Sequence, residues 1–219
     1  MKHVKIPMKK LRGGTNADIG IGALIIFIAM ILVAGISASV MIQTMNSLQQ
    51  QAVKTSQQTI RDISSGIQVT HVSGYVRNSK ITQLAIFISP TAASEAIDLS
   101  NAILSLSDST NKVVLNYTSR CFSTSASNGL FGTLNTSGLT ASRYGIIVIR
   151  DADGSCNASK PIVNDEDMVV LLLNTTTCFS GIGPNVQVTG EIYPEFGISG
   201  RIGFTTPSSL VSTIVDLQP

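Results

Sequence analysis

Histidine is almost absent from this sequence: His3 and His71 are the only two. Cysteine is scarce too, with Cys121, Cys156 and Cys178 and no Cys-x-x-Cys pair. That leaves no ligand set with zinc spacing. No nucleophile–base–orienter set is visible either, because His71 falls in an expected strand and reads as a half-buried sheet residue. Charged residues make up only 13% against 43% hydrophobic ones, which argues against a disordered tail and fits a chain with a membrane or assembly phase. No acid precedes Asp18, whereas Lys2, Lys5, Lys9, Lys10 and Arg12 crowd the first twelve residues. The net charge of +2 therefore becomes −3 once that segment is set aside. The basic excess is a leader and not a nucleic-acid footprint.

The longest absence defines the chain. From Ile19 to Val53 there is no charged residue, and Ile19 to Ile42 is apolar or small throughout. No proline lies between Pro7 and Pro90, and no glycine between Gly35 and Gly66. This predicts one helix from Ile19 to about Ser65, with Gly66 as its stop. At ~1.5 Å per residue it measures roughly 70 Å, about twice the ~30 Å bilayer core. Such a helix is more than an anchor. Its second half is amphipathic, with Met45, Leu48, Ala52, Val53, Ile60 and Ile63 at helical spacing. Gly20, Gly22, Ala23, Ala29, Ala34, Gly35, Ser37 and Ala38 permit close approach of neighbouring helices. Gly20-Ile-Gly22 lacks the preceding strand and full spacing of a dinucleotide fingerprint. The apolar run also exceeds the ~7–15 residues of a secretory signal. Ser37-Ala38-Ser39 imitates a cleavage site but lies inside the helical pattern. A cut before Ile19 would leave the helix on the mature chain. The expected organisation is a basic leader over 1–17, a hydrophobic helix over 18–65 and an outer β domain over 66–219. The plain alternative is a single-span anchor with a stalk.

After Ile67 the period changes. Expected strands are Ile67–Arg77, Ile81–Ser89, Leu99–Ser107, Lys112–Tyr117, Tyr144–Asp151, Asp167–Asn174, Asn185–Tyr193 and Gly197–Thr205, short and rich in Ile, Val, Thr and Tyr. Evenly spaced strands without helical patterns between them predict an antiparallel β-sandwich, so the fold class is α+β. Phe122–Ser142, rich in Ser, Thr, Gly and Asn, reads as a long surface loop.

Three groups of side chains carry chemistry. Asp151, Asp153 and Ser155 present oxygens at alternate positions, as calcium loops do, but the twelfth position holds Ile162 instead of the acid of an EF-hand. Asn164-Asp-Glu-Asp167 follows and offers more oxygens; the competing reading is solvated turns. Apart from that Ca2+, no cofactor is expected. Sequons occur at Asn116, Asn135, Asn157 and Asn174, all in the β region, which fits an exported, glycosylated surface. Of the three cysteines, two could pair in an exported protein, or all three could be buried thiols.

The stretch Gly20-Ile-Gly-Ala-Leu-Ile-Ile-Phe-Ile-Ala-Met30, with Ile31-Leu-Val-Ala, Ser39-Val-Met-Ile42 and Leu48-Gln-Gln-Gln, resembles the N-terminus of archaellins, the archaeal flagellins related in assembly to type IV pilins. Gly190-Glu-Ile-Tyr-Pro-Glu-Phe-Gly197, Ile202-Gly-Phe-Thr-Thr-Pro207 and Val215-Asp-Leu217 are similar to the family's other marker. The resemblance covers roughly the first 55 and last 35 residues. It implies a non-enzymatic structural subunit of a rotating extracellular filament for swimming. The precursor would sit in the cytoplasmic membrane and lose its leader to a prepilin-type peptidase. A membrane assembly platform would then feed a homopolymer, with or without paralogous subunits. The sandwich would be immunoglobulin-like and face outward. The core would be built from the helix through Ile21, Leu24, Ile25, Phe27, Ile28, Met30, Ile31, Leu32, Val33, Ile36 and Val40. Family spacing places the cut between Ala17 and Asp18, although Asn16 stands where a basic residue is usual; the alternative is a cut at Gly13 or Gly14. The competing functions are an adhesive pilin and a membrane-anchored surface binding domain.

Overall fold

A computed structural model describes residues 15–92, 94–164 and 166–218. The chain divides into two compact units, Met1–Ser56 and Gln57–Pro219. The described part of the first is a single helix, α1, which runs Thr15–Ser64 and so extends into the second. It begins ahead of the expected Ile19, and Thr15-Asn-Ala-Asp18 contains no breaker. Arg61 sits in the last turn, where a cation is favoured.

The end of α1 is tied down within the second unit. Ser65 is fully buried and its Oγ accepts the Glu95 amide at 3.1 Å. The Thr91 hydroxyl donates to the Ser64 carbonyl at 3.3 Å, and the Ile198 amide donates to the Ser65 carbonyl at 2.9 Å. Carbonyls that a helix C-terminus leaves without partners are thus satisfied. Gly197, at φ 90°, is required here: a Cβ would collide with the Ser65 carbonyl. Arg61 Nε pairs with Glu95 Oε2 at 2.8 Å, and its guanidinium lies 5.4 Å from the centre of the Phe196 ring.

Eleven strands follow among the described residues: β1 Ile67–Arg77, β2 Lys80–Pro90, β3 Ile97–Asp98, β4 Ile103–Ser107, β5 Lys112–Ser123, β6 Arg143–Arg150, β7 Ile162–Val163, β8 Met168–Asn174, β9 Gln187–Tyr193, β10 Gly200–Thr205 and β11 Ile214–Gln218. Nine form one sheet in the order β10-β9-β4-β5-β6-β8-β2-β1-β11; β3 and β7 make a small ribbon. The two ends of the sheet approach each other. The Gly203 amide on β10 donates to Gln218 Oε1 on β11 at 3.1 Å, and Gly200 packs against Ile67 and Val69 of β1. The sheet therefore rolls into the two layers of a sandwich, and the expected α+β class, a long apolar helix followed by a β-sandwich, holds. Its core includes Ile86, Leu104, Leu115, Tyr144, Ile146, Leu171, Val188 and Ile192. Tyr144 is fully buried, with its hydroxyl donating to the Ala102 carbonyl at 2.9 Å, and burial holds this phenol neutral.

Several expectations are corrected. The sheet is not wholly antiparallel, since β5 and β6 run parallel. A parallel connection needs a crossover of a dozen or more residues, and the segment after β5 supplies it. That segment is not the surface loop expected over Phe122–Ser142. β5 continues to Ser123, and Phe131, Leu134 and Leu139 are buried against Ala85, Ile147, Val170 and Leu172. They cover the second face of β2, β6 and β8, whose central residues are buried on both sides. Leu99–Asn101 is a 3₁₀ turn capped by Asp98, not the start of a strand. β9 begins at Gln187 and β10 at Gly200, later than expected. The strands β3, β7 and β11 and the short helix α2, Thr175–Phe179, have no counterpart among the expected elements.

The cysteines, expected either to form one pair or to stay as buried thiols, are all free: Cys121 and Cys156 are buried and Cys178 is half-buried. Cys121 packs in the cluster on one face of the sheet, whereas Cys156 and Cys178 pack with the main core on the other. Burial raises the pKa of each; that of Cys156, with Asp151, Asp167 and Asp153 adding to the effect, is pushed up to about 12. These groups are protonated and poorly nucleophilic at neutral pH.

The burial of the crossover segment is testable. Leu139→Ala lowers the unfolding free energy by about 2–5 kcal/mol, as for a core leucine. Urea denaturation of the full chain in detergent measures it. A change within about 0.5 kcal/mol, normal for an exposed position, would return the segment to the surface.

Candidate assembly interface

The eleven side chains assigned to a filament core all lie exposed on α1. Ile21, Leu24, Ile25, Phe27, Met30, Ile31, Leu32, Val33, Ile36 and Val40 are each more than half exposed, and Ile28 is 48% exposed. Ile19, Ile26, Met41, Ile42, Met45, Leu48 and Val53 share that surface. The helix is apolar all round over its first half, not striped, which is the pattern of a helix surrounded by apolar material on every side. Among the described residues, nothing beyond the helix's own turns lies within 4 Å of a Cβ added at Gly20, Gly22 or Gly35. The small residues therefore leave room for something outside the chain. From Ile19 the helix is long and apolar enough to cross a bilayer, and none of its most apolar window is buried. Ala17 and Asp18 fall within the backbone of α1, their side chains outside the described residues. Gly13 and Gly14 lie outside the described residues altogether.

Full burial of each large apolar side chain is worth ~1.5–3 kcal/mol relative to water. Leaving this many exposed is unfavourable by tens of kcal/mol. Lipid or other apolar helices would cover them equally well, and transfer between the two exchanges one apolar setting for another. An ionised side chain in the run would be expensive in either setting.

The acidic cluster is built by strand pairing. Arg150 at the end of β6 faces Met168 at the start of β8. Asp151 and Asp167, next along the chain, therefore come together, and Asp153 joins them. One carboxylate oxygen from each lies within 4.8 Å of the others. Backbone amides hold them in place: Asp151 accepts from Gly154 and Cys156, and Asp167 from Ala152 and Asn164. Asp153 Oδ1 accepts from the Ser155 amide, and its Oδ2 from Asn164 Nδ2 at 2.6 Å. Ser155 heads the causes that lower the Asp153 pKa, with Asn164 adding to them. The donors are all oxygens, a set that fits a hard cation such as Ca2+. Local reading found Asp151, Asp153 and Ser155 and offered Asn164-Asp-Glu-Asp167 as a further source of oxygens; the β6–β8 register selects Asp167, sixteen positions on from Asp151.

Asn116, Asn135 and Asn157 are exposed, and Asn174 is half-buried, its side chain capping α2 by accepting from the Thr176 amide at 3.0 Å. His71 Nε2 and the Ser73 hydroxyl both meet the same oxygen, Asp216 Oδ1, at 3.1 and 3.2 Å. Both side chains are spent on one carboxylate, which pins β11 to β1 and builds no serine–histidine relay.

Comparison with known proteins accords with these features. The model of the family described as archaeal-type flagellin matches residues 17–204. Flagellin B2 of Methanocaldococcus jannaschii is 40% identical over 211 residues, covering 94% of this chain and 96% of its own. Flagellin B1 of Methanococcus voltae is 38% identical over 217 residues, with 96% and 99% covered. The crystal structure of archaeal flagellin FlaB1 from M. jannaschii superposes with a TM-score of 0.63 at 36% identity, over 70% of this chain and 97% of that one. The archaeal flagellum structure of Methanospirillum hungatei gives a TM-score of 0.64 over 91% and 99% at 15% identity, and shows the fold alone. With a family model spanning most of its length and relatives near 40% identical, the chain belongs to the archaeal-type flagellin family.

Proposed function

We propose that this chain is a structural subunit of the archaeal flagellum, polymerising through α1 into an extracellular filament that rotates for swimming. The observation that carries the reading is the apolar surface of α1, exposed on all sides in a chain of this family. Copies of α1 pack side by side and cover one another, with Gly20, Gly22 and Gly35 at the close approaches. The precursor first rests in the cytoplasmic membrane with its basic leader inside, in keeping with the positive-inside rule. A prepilin-type peptidase removes residues 1–17, so that the mature chain starts at Asp18 and residues 18–65 form the core helix; a cut at Gly13 or Gly14 is the alternative. A membrane assembly platform then inserts the subunit, with or without paralogous flagellins. Residues 66–219 form the outer domain, carrying glycans at exposed sequons.

Asp151, Asp153 and Asp167 form a divalent-cation site in that domain, suited to Ca2+ by their oxygen donors. Such an ion would tie the loops after β6 and before β8.

Ile31→Asp abolishes filaments in electron micrographs while the precursor still accumulates in membranes; normal-length filaments from this variant would overturn assembly through α1. Intact mass and N-terminal fragmentation of protein sheared from wild-type cells give a chain beginning at Asp18. For the cation, Ca2+ added to the full chain in detergent raises the unfolding temperature, by about 2.7 kcal/mol of stabilisation at a hundredfold excess over Kd. Asp153→Asn removes the response. A wild-type midpoint indifferent to Ca2+ and chelator would dismiss the site.

A further inference from the structure

The parallel seam between β5 and β6 opens a second, cationic site. Asn116 and Tyr117 pair with Arg143 and Tyr144, but the next pair is Phe122 with Ile146. Four residues, Thr118 to Cys121, stand opposite the single Gly145, and β5 bulges. The bulge presses on β6, since a Cβ on Gly145 would come within 2.6 Å of the Cys121 carbonyl. Arg120, in the bulge, reaches solvent beside the same seam that presents Arg143.

A cleft of about 440 Å³ elsewhere on the sheet is lined by Lys112 and by the Glu191–Arg201 pair, so a carboxylate already stands among its cations. The cleft at the β5–β6 seam, about 510 Å³, is different. Among the described residues its lining includes Arg120 and Arg143 but no carboxylate, and neither arginine belongs to an ion pair. Thr118, Ser137 and Ser159 line its walls beside Tyr117, whose hydroxyl is committed to the Ala158 carbonyl at 2.8 Å, as that of Ser159 is to Asn157 Oδ1 at 2.9 Å. Burial raises that phenol to about 12, so it brings no negative charge. Two guanidinium forks without counter-ions select an oxyanion, which each can bind through paired hydrogen bonds. Short hydroxyls on the remaining wall suit the hydroxyl groups of a sugar.

The sequons point to the same ligand. Thr118, Ser137 and Ser159 are the hydroxyl residues of the sequons at Asn116, Asn135 and Asn157. Three sequons distant in sequence therefore each give their hydroxyl residue to one cleft, two positions along from the acceptor asparagines. Asn174 lies apart, at a different depression with Tyr75 and Arg77. We propose that the Arg120–Arg143 cleft binds an acidic saccharide, a sugar bearing a carboxylate or other oxyanion. Its source is either a glycan on one of the three flanking asparagines, which rests on the proposed glycosylation, or a saccharide from outside the chain.

Saturation-transfer NMR on sheared filaments, with glucuronate, glucose and inorganic phosphate as probes, tests this. Glucuronate receives saturation and glucose does not. Arg120→Gln and Arg143→Gln each weaken glucuronate binding roughly tenfold, the scale of a charge-assisted pair. Arg120→Lys retains part of it, which separates lost recognition from lost folding. In filaments carrying Asn116→Gln, Asn135→Gln and Asn157→Gln, stronger glucuronate binding identifies the chain's own glycan as occupant; unchanged binding identifies an outside source. Glucuronate binding indifferent to both arginine substitutions overturns the site. Phosphate displacing glucuronate at equal concentration with full effect overturns the saccharide and leaves a simple anion site. Because the readout is the probe and not swimming, failure here does not touch the filament reading.

Discussion

A helix whose first half is apolar on every side cannot rest in water, and the rest of the molecule is arranged around that constraint. Ile19 to Ile42 offers no polar stripe by which α1 could settle on a sheet or at a bilayer surface, and the described residues bury none of it. The deficit, tens of kcal/mol by area, exceeds the ~5–15 kcal/mol net stability of an ordinary domain. No rearrangement of the sandwich could make it good. The cover has to come from lipid or from other helices. On the proposed route from membrane to filament it comes from each in turn, and the absence of charge through Val53 keeps the exchange nearly isoenergetic.

The second unit solves a separate problem, that of ending such a helix. Ser65 is buried, Gly197 supplies a backbone no other residue would adopt easily, and Arg61 is held between Glu95 and Phe196. These contacts join the last turn of α1 to elements from both halves of the β region. Both Phe196 and Gly197 belong to the Gly190–Gly197 stretch that resembles the family's C-terminal marker. Its glycine is explained by the Ser65 carbonyl.

The sequence discloses most clearly what depends on one-dimensional pattern. An uninterrupted charge-free run is sufficient to define α1, and alternation in Asn185-Val-Gln-Val-Thr is sufficient for β9. Pairing is less accessible. The parallel β5–β6 seam leaves no local mark, because register is decided by which faces find cover. Phe131, Leu134 and Leu139 are hidden by the Ser, Thr and Gly around them. A clue lies in β8 instead, where Met168-Val-Val-Leu-Leu-Leu173 is an unbroken apolar run. Such a run belongs to a strand covered on both faces and so requires a second layer. The Arg120–Arg143 pair is likewise invisible until neighbouring strands bring distant residues together, and only the β6–β8 register singles out Asp167 from the Asn164–Asp167 group.

The central claim is that the exposed surface of α1 is the assembly surface. A helical reconstruction of sheared filaments at side-chain resolution tests it most directly. The expected map shows Ile21 through Val40 enclosed by α1 helices of other copies, with Gly20, Gly22 and Gly35 at close helix crossings. A filament held together by contacts between β domains, with α1 solvated or absent from the core, would contradict it.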